Sequence, residues 1–346
     1  MNRLHYILYK FLPVVFAIMA LPKAYAQGGS TAYNFLDVTS SARIYGLGGI
    51  NISTVDDNLN VTDQNPALLG PEMSNQILVD YMHYVGSSNF AGARYAHSVN
   101  DHGAWSAGIR YFGYGAITAA DETGTILGKF SPKDIAFNGA FSYDIYGYWR
   151  GGINVKLLYS SYEQYSAMAL ATDIGFNYYD ADRDLSLSIV GANLGGQIKK
   201  FNNETDRLPI DLRLGWSQSF GSFPVRFSVT AWNLTHWHLP YKVISDNSEN
   251  GGNEEVYKDS FSSNLFRHLV FGAELISSEK FYVSLGYNYR TRTDMSTYSR
   301  SFLSGFSLGA GLNTQKFRVG LAIAQPHTGA TTFMLNLTLD LNDFLN

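Results

Sequence analysis

The stretch FRVGLAIAQPHTGATTFMLNLTLD, residues 317–340, contains two runs in which large apolar side chains occupy every second position. The first run carries Phe317, Val319, Leu321 and Ile323, and the second carries Phe333, Leu335, Leu337 and Leu339. A period of two predicts β-strands with one apolar face. Each run spans about ten residues, the length that a tilted strand needs to cross a bilayer. The stretch therefore predicts a transmembrane β-hairpin.

The same alternation recurs along most of the chain. Candidate strands are centred near Val79, Arg94, Ala107, Gly139, Asn154, Ile174, Leu187, Leu214, Ser228, Phe271, Leu285, Leu308, Gly320 and Leu335. They make an even number, as in bacterial outer-membrane barrels. We predict an all-β fold, a transmembrane antiparallel β-barrel of about 14 strands.

The connections between these strands give an independent test, because outer-membrane barrels have short periplasmic turns and long extracellular loops. Short connections such as NDH (100–102) and IYG (145–147) alternate with longer ones: 114–133, SSYEQYSA (160–167), 195–208 and 237–265. The alternative is a soluble β-sandwich or propeller, in which loop lengths need not alternate. The alternation favours the barrel.

Composition agrees with this architecture. Of the 346 residues, 16% are charged and 15% aromatic, the net charge is −4 and there is no cysteine. The mean hydropathy of −0.10 is too low for a helical membrane protein and fits strands with one apolar and one polar face. The absence of cysteine excludes small disulfide-linked domains. The negative charge disfavours nucleic acid as a partner.

Residues 1–26 have the pattern of a secretory signal peptide. Arg3 and Lys10 provide a basic start, FLPVVFAIMAL (11–21) is apolar, and Ala24-Tyr25-Ala26 is a cleavage signal. We therefore expect export, with residues 27–75 as an N-terminal plug or periplasmic-side segment and residues 76–346 as the barrel. The expected location is the outer membrane of a Gram-negative cell, with outer-membrane lipid around the barrel.

Charged residues in the strands favour one register, because charges facing lipid near the midplane cost several kcal/mol. In that register a set of charges of both signs faces inward and predicts a polar, ion-paired lumen. The set is Asp80, Arg94, Arg110, Asp144, Lys156, Asp173, Asp211, Arg213, Arg226, Glu274, Arg290 and Arg318.

Residues 28–75 lack the alternation and are rich in turn formers. Gly48 and Gly49 can take positive φ, and Asn65 is a candidate N-cap for a short helix that begins at Pro66. This segment either lies in the periplasm or folds into the lumen as a plug.

Several motifs resemble a known family, and the resemblance covers essentially the whole mature chain. They are Ser41-Ala42-Arg43, Gly46-Leu47-Gly48-Gly49, Asp56-Asp57, Asn65-Pro66-Ala67, the stretch 111–143 and the stretch Leu194 to Phe220. Together they resemble the PorV/PorQ family, relatives of the FadL-type fourteen-strand barrels. Ile44-Tyr45 departs from the family pattern, which more often has small residues there.

The resemblance implies a non-enzymatic outer-membrane component of the type IX protein secretion system. Such a protein would anchor the surface attachment complex, through loops 114–133, 195–208 and 237–265. The implied partners are the surface protein PorZ and the PorU/PorV attachment machinery. The alternative function is a FadL-like channel for hydrophobic small molecules, in which segment 28–75 moves. That alternative predicts an apolar pocket behind the plug.

No residue pattern predicts catalysis, a cofactor or a metal site. The histidines His83, His97, His102, His236, His238, His268 and His327 are scattered. Only His236 and His238 form a close pair, and the neighbouring tryptophans favour an aromatic belt over a metal site. GLGG at 46–49 lacks the Lys-Ser/Thr of a phosphate loop, and the chain has no G-x-S-x-G motif. We predict a protein that is not an enzyme, with no catalytic, cofactor-binding or metal-binding residues.

Overall fold

The computed structural model describes residues 33–120, 123–201, 205–220, 223–237, 239, 241–243, 255–257, 260–278, 280–294, 303–314, 316–327 and 330–345. The predicted signal peptide, residues 1–26, lies outside these ranges. Parts of the predicted loops 195–208 and 237–265 also lie outside them.

Fourteen antiparallel strands form a closed barrel, in which successive barrel strands are neighbours. They are β1 (Gln76–His83), β2 (Asn89–Asn100), β3 (Gly103–Gly113), β6 (Lys133–Tyr146), β7 (Trp149–Tyr162), β8 (Tyr165–Asp180), β9 (Leu185–Lys199), β10 (Asp211–Ser219), β11 (Val225–Ala231), β14 (Leu269–Ser278), β15 (Phe281–Asn288), β16 (Phe306–Asn313), β17 (Phe317–His327) and β18 (Ala330–Asp340). Every predicted strand centre lies within one of these strands, so the predicted fold is confirmed.

Two short ribbons lie in the long connections. β4 (Ile117–Ala120) pairs with β5 (Ile126–Phe130), and β12 (Tyr241–Val243) pairs with β13 (Glu255–Tyr257). Closure of the barrel comes from β1 and β18, where Gln76 lies opposite Asp340 and His83 opposite Phe333.

The two faces of the wall differ as the alternation predicts. Outward-facing Ile109, Phe137 and Val155 are exposed, whereas inward-facing Asp173 and Glu274 are buried. An apolar outer face around a polar interior suits a barrel surrounded by lipid. In a closed barrel the backbone groups pair between neighbouring strands, so no sheet edge faces the lipid. The chain is a multi-pass β-barrel of the outer-membrane type. Within the described ranges, no helix is long and apolar enough to cross a membrane.

Residues 33–75, hereafter the N-terminal segment, lie inside the barrel. Their helices are Asn34–Asp37, Ala42–Gly46, Leu59–Asp63, Pro66–Leu68 and Pro71–Met73. The Asn65 side chain accepts a hydrogen bond from the backbone N–H of Ala67, which confirms the predicted N-cap. Gly48 and Gly49 have φ of 101° and 85°, also as predicted. The sequence allowed two places for this segment, the periplasm and the lumen. In the structure, residues 33–75 lie in the lumen.

Inward-facing glycines of the wall let the N-terminal segment approach closely. A Cβ at Gly286 would lie 2.0 Å from the backbone N of Gly48, and one at Gly152 would lie 2.4 Å from the carbonyl carbon of Pro66. Four more wall glycines contact the segment in the same way: Gly175, Gly215, Gly272 and Gly309. Any side chain at these positions would force the segment or the strand to shift, since the interior is close-packed.

Two local predictions are wrong, and a third, the loop 195–208, is wrong for residues 195–199 because β9 continues to Lys199. The stretch 160–167 is not a loop, because β7 and β8 continue to Tyr162 and Tyr165 and are joined through Glu163, at φ 53°. Arg290 is not on the inner face of a strand, because β15 ends at Asn288 and Tyr289–Asp294 is helical. The Arg290 guanidinium lies 5.0 Å from the ring centroid of Trp232.

The helices after the N-terminal segment lie near strand ends. They are Phe261–Arg267, Tyr289–Asp294 and Asn342–Leu345. The side chain of Ser260 accepts a hydrogen bond from the N–H of Ser263 and so caps the first of them.

Candidate functional site in the barrel lumen

Buried ion pairs connect the N-terminal segment to the wall. Arg43 makes a bidentate contact with Glu274 of β14, with Nε–Oε1 and Nη2–Oε2 distances of 2.7 and 2.8 Å. The Arg43 guanidinium also donates to Asp56 of the segment itself. Arg43 and Glu274 are 3% and 1% exposed, so neither charge can be solvated if its partner is removed.

A second group of contacts surrounds Asp63 of the segment. Its carboxylate accepts hydrogen bonds from the Thr39 hydroxyl at 2.8 Å and from the backbone N–H of Ser40 at 2.9 Å. Arg94 of β2 donates to it at 3.1 Å. Burial alone would raise the pKa of Asp63, but the guanidiniums of Arg110 and Arg94 hold that pKa below its ordinary value. Asp63 is therefore an anion that joins the segment to the wall.

Further pairs complete the polar layer. Arg213 of β10 contacts Asp37 of the segment and Asp211 of its own strand, both at 2.8 Å. Lys156 of β7 lies 2.7 Å from Asp173 of β8. The prediction of an ion-paired lumen is confirmed for these residues. The acidic partners Asp37, Asp56 and Asp63 were missed, although the excess of acids in residues 33–75 was a signal for them.

A small cavity lies between the N-terminal segment and the wall. Its volume is about 30 Å³, and its lining includes Leu36, Phe112, Asn154, Lys156 and Arg213. Such a volume holds a water or two rather than a hydrocarbon. This cavity is not the apolar pocket that the channel alternative predicts, because charged side chains such as Lys156 and Arg213 are part of its lining.

Apolar side chains fill the lumen on the side of the long loops. The upper apolar cluster comprises Tyr33, Phe35, Ala42, Tyr45, Met82, Phe90, Phe112, Ala136, Leu158, Ala169, Ala171, Leu208, Ala322 and Met334. Its aromatic centre is tight, because the ring of Phe112 lies 4.5 Å from that of Phe35 and 4.6 Å from that of Phe90. The lumen thus has an apolar layer next to a charged layer.

The wall beside this cluster has a seam, formed by residues 193–199 of β9 and residues 205–210. The β9–β10 ladder ends where Ala192 lies opposite Asp211, whereas β9 continues to Lys199 and pairs there with β8. Asn193, at φ 57°, marks the point where the ladder ends.

Side chains close the seam where the ladder is missing. Gln197 Oε1 accepts from the backbone N–H of Asp206 at 2.8 Å, and Gln197 Nε2 donates to the Asp206 carboxylate at 3.2 Å. Asn193 Nδ2 donates to the Pro209 carbonyl at 3.1 Å. Leu208, between these contacts, is buried in the upper apolar cluster. No pattern in the sequence predicted this seam.

The histidine pair does not form a described site. His236 is half-buried and its Nδ1 lies 2.9 Å from the Thr235 hydroxyl, whereas His238 lies outside the described ranges. In the part of the chain that the structure describes, no three metal-ligating side chains converge.

Comparisons with known proteins support the fold. No protein-family model and no curated protein matches the sequence. Among solved structures, the toluene transporter TodX of Pseudomonas putida is similar at 14% identity and a TM-score of 0.52, over 87% of this chain and 97% of that chain. A TodX deltaS2S3 mutant, described as a monoaromatic hydrocarbon channel, gives 13% and 0.51 over the same shares. At these identities the likeness shows the fold alone: a FadL-like fourteen-strand barrel.

The buried pair of Arg43 and Glu274 predicts a large effect of one substitution. Arg43→Met should destabilise the barrel by about 3–5 kcal/mol, because Glu274 stays buried, loses its bidentate partner and keeps only Arg226, at 3.7 Å. Unfolding in urea, followed by heat-modifiability on a gel, measures this loss. The matched control is Arg318→Met, which removes the partner of Asp57, a side chain that is 59% exposed. That control should cost at most about 1 kcal/mol, and equal losses in the two variants would contradict the prediction.

Proposed function

We propose that this protein is a FadL-like outer-membrane channel for hydrophobic small molecules and that this structure is its closed state. The observation that carries the proposal is the position of the seam beside the upper apolar cluster. The fold resembles that of TodX, a toluene transporter, and we propose the same class of passenger by analogy of fold.

The charged layer determines the direction of movement. A hydrophobic molecule in the upper apolar cluster cannot continue along the barrel axis, because it would have to displace the paired charges of Arg43, Asp63 and Arg213. The seam offers a route sideways into the apolar part of the membrane. Hydrocarbon then leaves one apolar surrounding for another, with little contact with water.

In the described part of the seam, three hydrogen bonds join the two sides, donated by Asn193, Gln197 and the Asp206 N–H. At about 1 kcal/mol net for each, breaking these three bonds costs a few kcal/mol. Along most of the wall, neighbouring strands are joined by backbone ladders, which are interrupted at irregularities such as the one between Ala324 and His327. Separating such a ladder costs much more, because its freed N–H and C=O groups would face lipid.

A disulfide across the seam tests this route. The natural chain has no cysteine, so Gln197→Cys with Asp206→Cys provides the only two thiols. Oxidation of this pair should abolish uptake of a hydrophobic compound such as toluene by whole cells, and reduction should restore it. The control, Ala107→Cys with Gly139→Cys, bridges opposite residues of an intact ladder and should leave uptake unchanged. Uptake that persists with the seam bridged would reject the lateral route.

A second candidate function is the one that the PorV/PorQ resemblance implies, anchoring of type IX secreted proteins at the cell surface. The observation that favours it is the fit of the N-terminal segment against wall glycines such as Gly286 and Gly152, which suits a permanently filled barrel. In this case the loops 114–133, 195–208 and 237–265 would contact the surface partner PorZ and the PorU/PorV machinery.

Deleting the gene separates the two candidates. If the protein is an anchor, proteins with the type IX C-terminal signal should accumulate unprocessed in the periplasm or appear unattached in the medium, as cell fractionation would show. If it is a channel, those proteins should reach the surface normally while uptake of a hydrophobic nutrient is lost. A plasmid copy should reverse either defect.

A further inference from the structure

A buried carboxylate lies at the edge of the upper apolar cluster. Asp134, near the start of β6, is 0% exposed and lies opposite Phe112 of β3. Its Oδ2 accepts hydrogen bonds from the hydroxyls of Tyr114 at 2.5 Å and Tyr162 at 2.9 Å. The Ser160 hydroxyl, on the opposite residue of β7, also lies beside this carboxylate. Oδ1 is buried, and among the described residues no donor reaches it with ordinary hydrogen-bond geometry.

Asp134 differs from the acids of the charged layer. Asp63, Asp173 and Glu274 lie 3.1, 2.7 and 2.7 Å from an arginine or lysine nitrogen. Asp134 has no basic partner within the described residues, and its contacts are hydroxyl groups. Burying a carboxylate without a cation is costly, and each unpaired oxygen adds to the cost. A donor brought by a bound molecule would relieve it.

Aromatic rings lie around this carboxylate. The rings of Tyr114 and Tyr162 are 6.0 Å apart, and those of Tyr162 and Phe201 are 5.5 Å apart. Aromatic faces attract cations, most strongly where water is excluded. Tyr114 and Tyr162 are partly exposed, so the hydroxyls that donate to the buried Asp134 belong to side chains that reach the surface of the protein.

We infer that Asp134 recognises the protonated amino group of a hydrophobic passenger, an aliphatic or aromatic amine. The ammonium group donates to Oδ1 of Asp134 and lies against the rings of Tyr114 and Tyr162, while the hydrocarbon part packs on Phe112 and Leu158. This inference rests on the proposed channel function and adds a preference for amines over acids and neutral compounds of the same size.

The test compares octylamine, octanol and octanoate, which share one chain length. Calorimetric titration of the purified full-length protein at pH 7 should show octylamine binding about tenfold or more tightly than octanol, as expected for one charge-assisted hydrogen bond, and octanoate binding most weakly. Asp134→Asn should remove the preference for octylamine and leave octanol binding unchanged. Asp144→Asn, at the opposite end of the same strand, should keep the preference.

A second variant covers the case in which Asp134→Asn does not fold. Tyr162→Phe keeps the ring and the carboxylate but removes one competing hydroxyl donor, so octylamine should bind more tightly than to the natural protein. Equal binding of octylamine and octanol would overturn the inference, and so would a preference for octylamine that survives Asp134→Asn. If toluene is still taken up in that case, the channel function stands without amine recognition. Absence of both binding and toluene uptake would overturn the channel function itself.

Discussion

The structure depends on the contact between the N-terminal segment and the inner face of the wall. A fourteen-strand barrel encloses more space than the wall side chains fill, and here many of those side chains are charged. The segment supplies both apolar volume and the counter-charges to the wall. These are Asp37, Asp57 and Asp63 on the acidic side and Arg43 on the basic side. Wall and segment are therefore one packed interior, in which neither is complete without the other.

This interior separates the lumen into two layers with different chemistry. On the side of the long loops the filling is aromatic and aliphatic, and next to it lies the network of ion pairs. A hydrophobic molecule is stabilised in the first layer and excluded by the second. The seam lies at the height of the apolar layer. There the two sides are joined by the side chains of Gln197 and Asn193 and not by a backbone ladder. This coincidence links the fold to the proposed lateral passage.

The strands were predictable because their signal is local. Alternation of apolar and polar residues needs only neighbours along the chain, so all the strand centres and most inward-facing charges follow from it. Arg290 was misplaced because the alternation continues past Tyr287 in the sequence, while the chain turns into the helix Tyr289–Asp294. The stretch 160–167 was misread because strands that extend beyond the membrane need no apolar face. The seam was missed because the alternation gives the centre of a strand and not its first residue. The ladder stops at Ala192 because β10 begins only at Asp211, which lies opposite Ala192.

The place of the N-terminal segment required information that local patterns do not contain. Residues 33–75 carry five acids and one base, and the wall offers inward-facing arginines, so charge complementarity alone could have favoured the lumen over the periplasm. The glycines that contact the segment cannot be recognised in the sequence until the strand register shows which of them face inward. Only then do Gly152 and Gly286 fall on the inner face at points of backbone contact.

The most direct test of this account is the unfolding temperature of a Gly286→Val variant, measured by heat-modifiability and compared with that of Gly139→Val. A Cβ at Gly286 would lie 2.0 Å from the backbone of Gly48, whereas one at the outward-facing Gly139 meets nothing within 4 Å. The account predicts that Gly286→Val unfolds at a clearly lower temperature and that Gly139→Val matches the natural protein. Equal unfolding temperatures for the two variants would mean that the N-terminal segment is not seated against the wall, and would contradict the account.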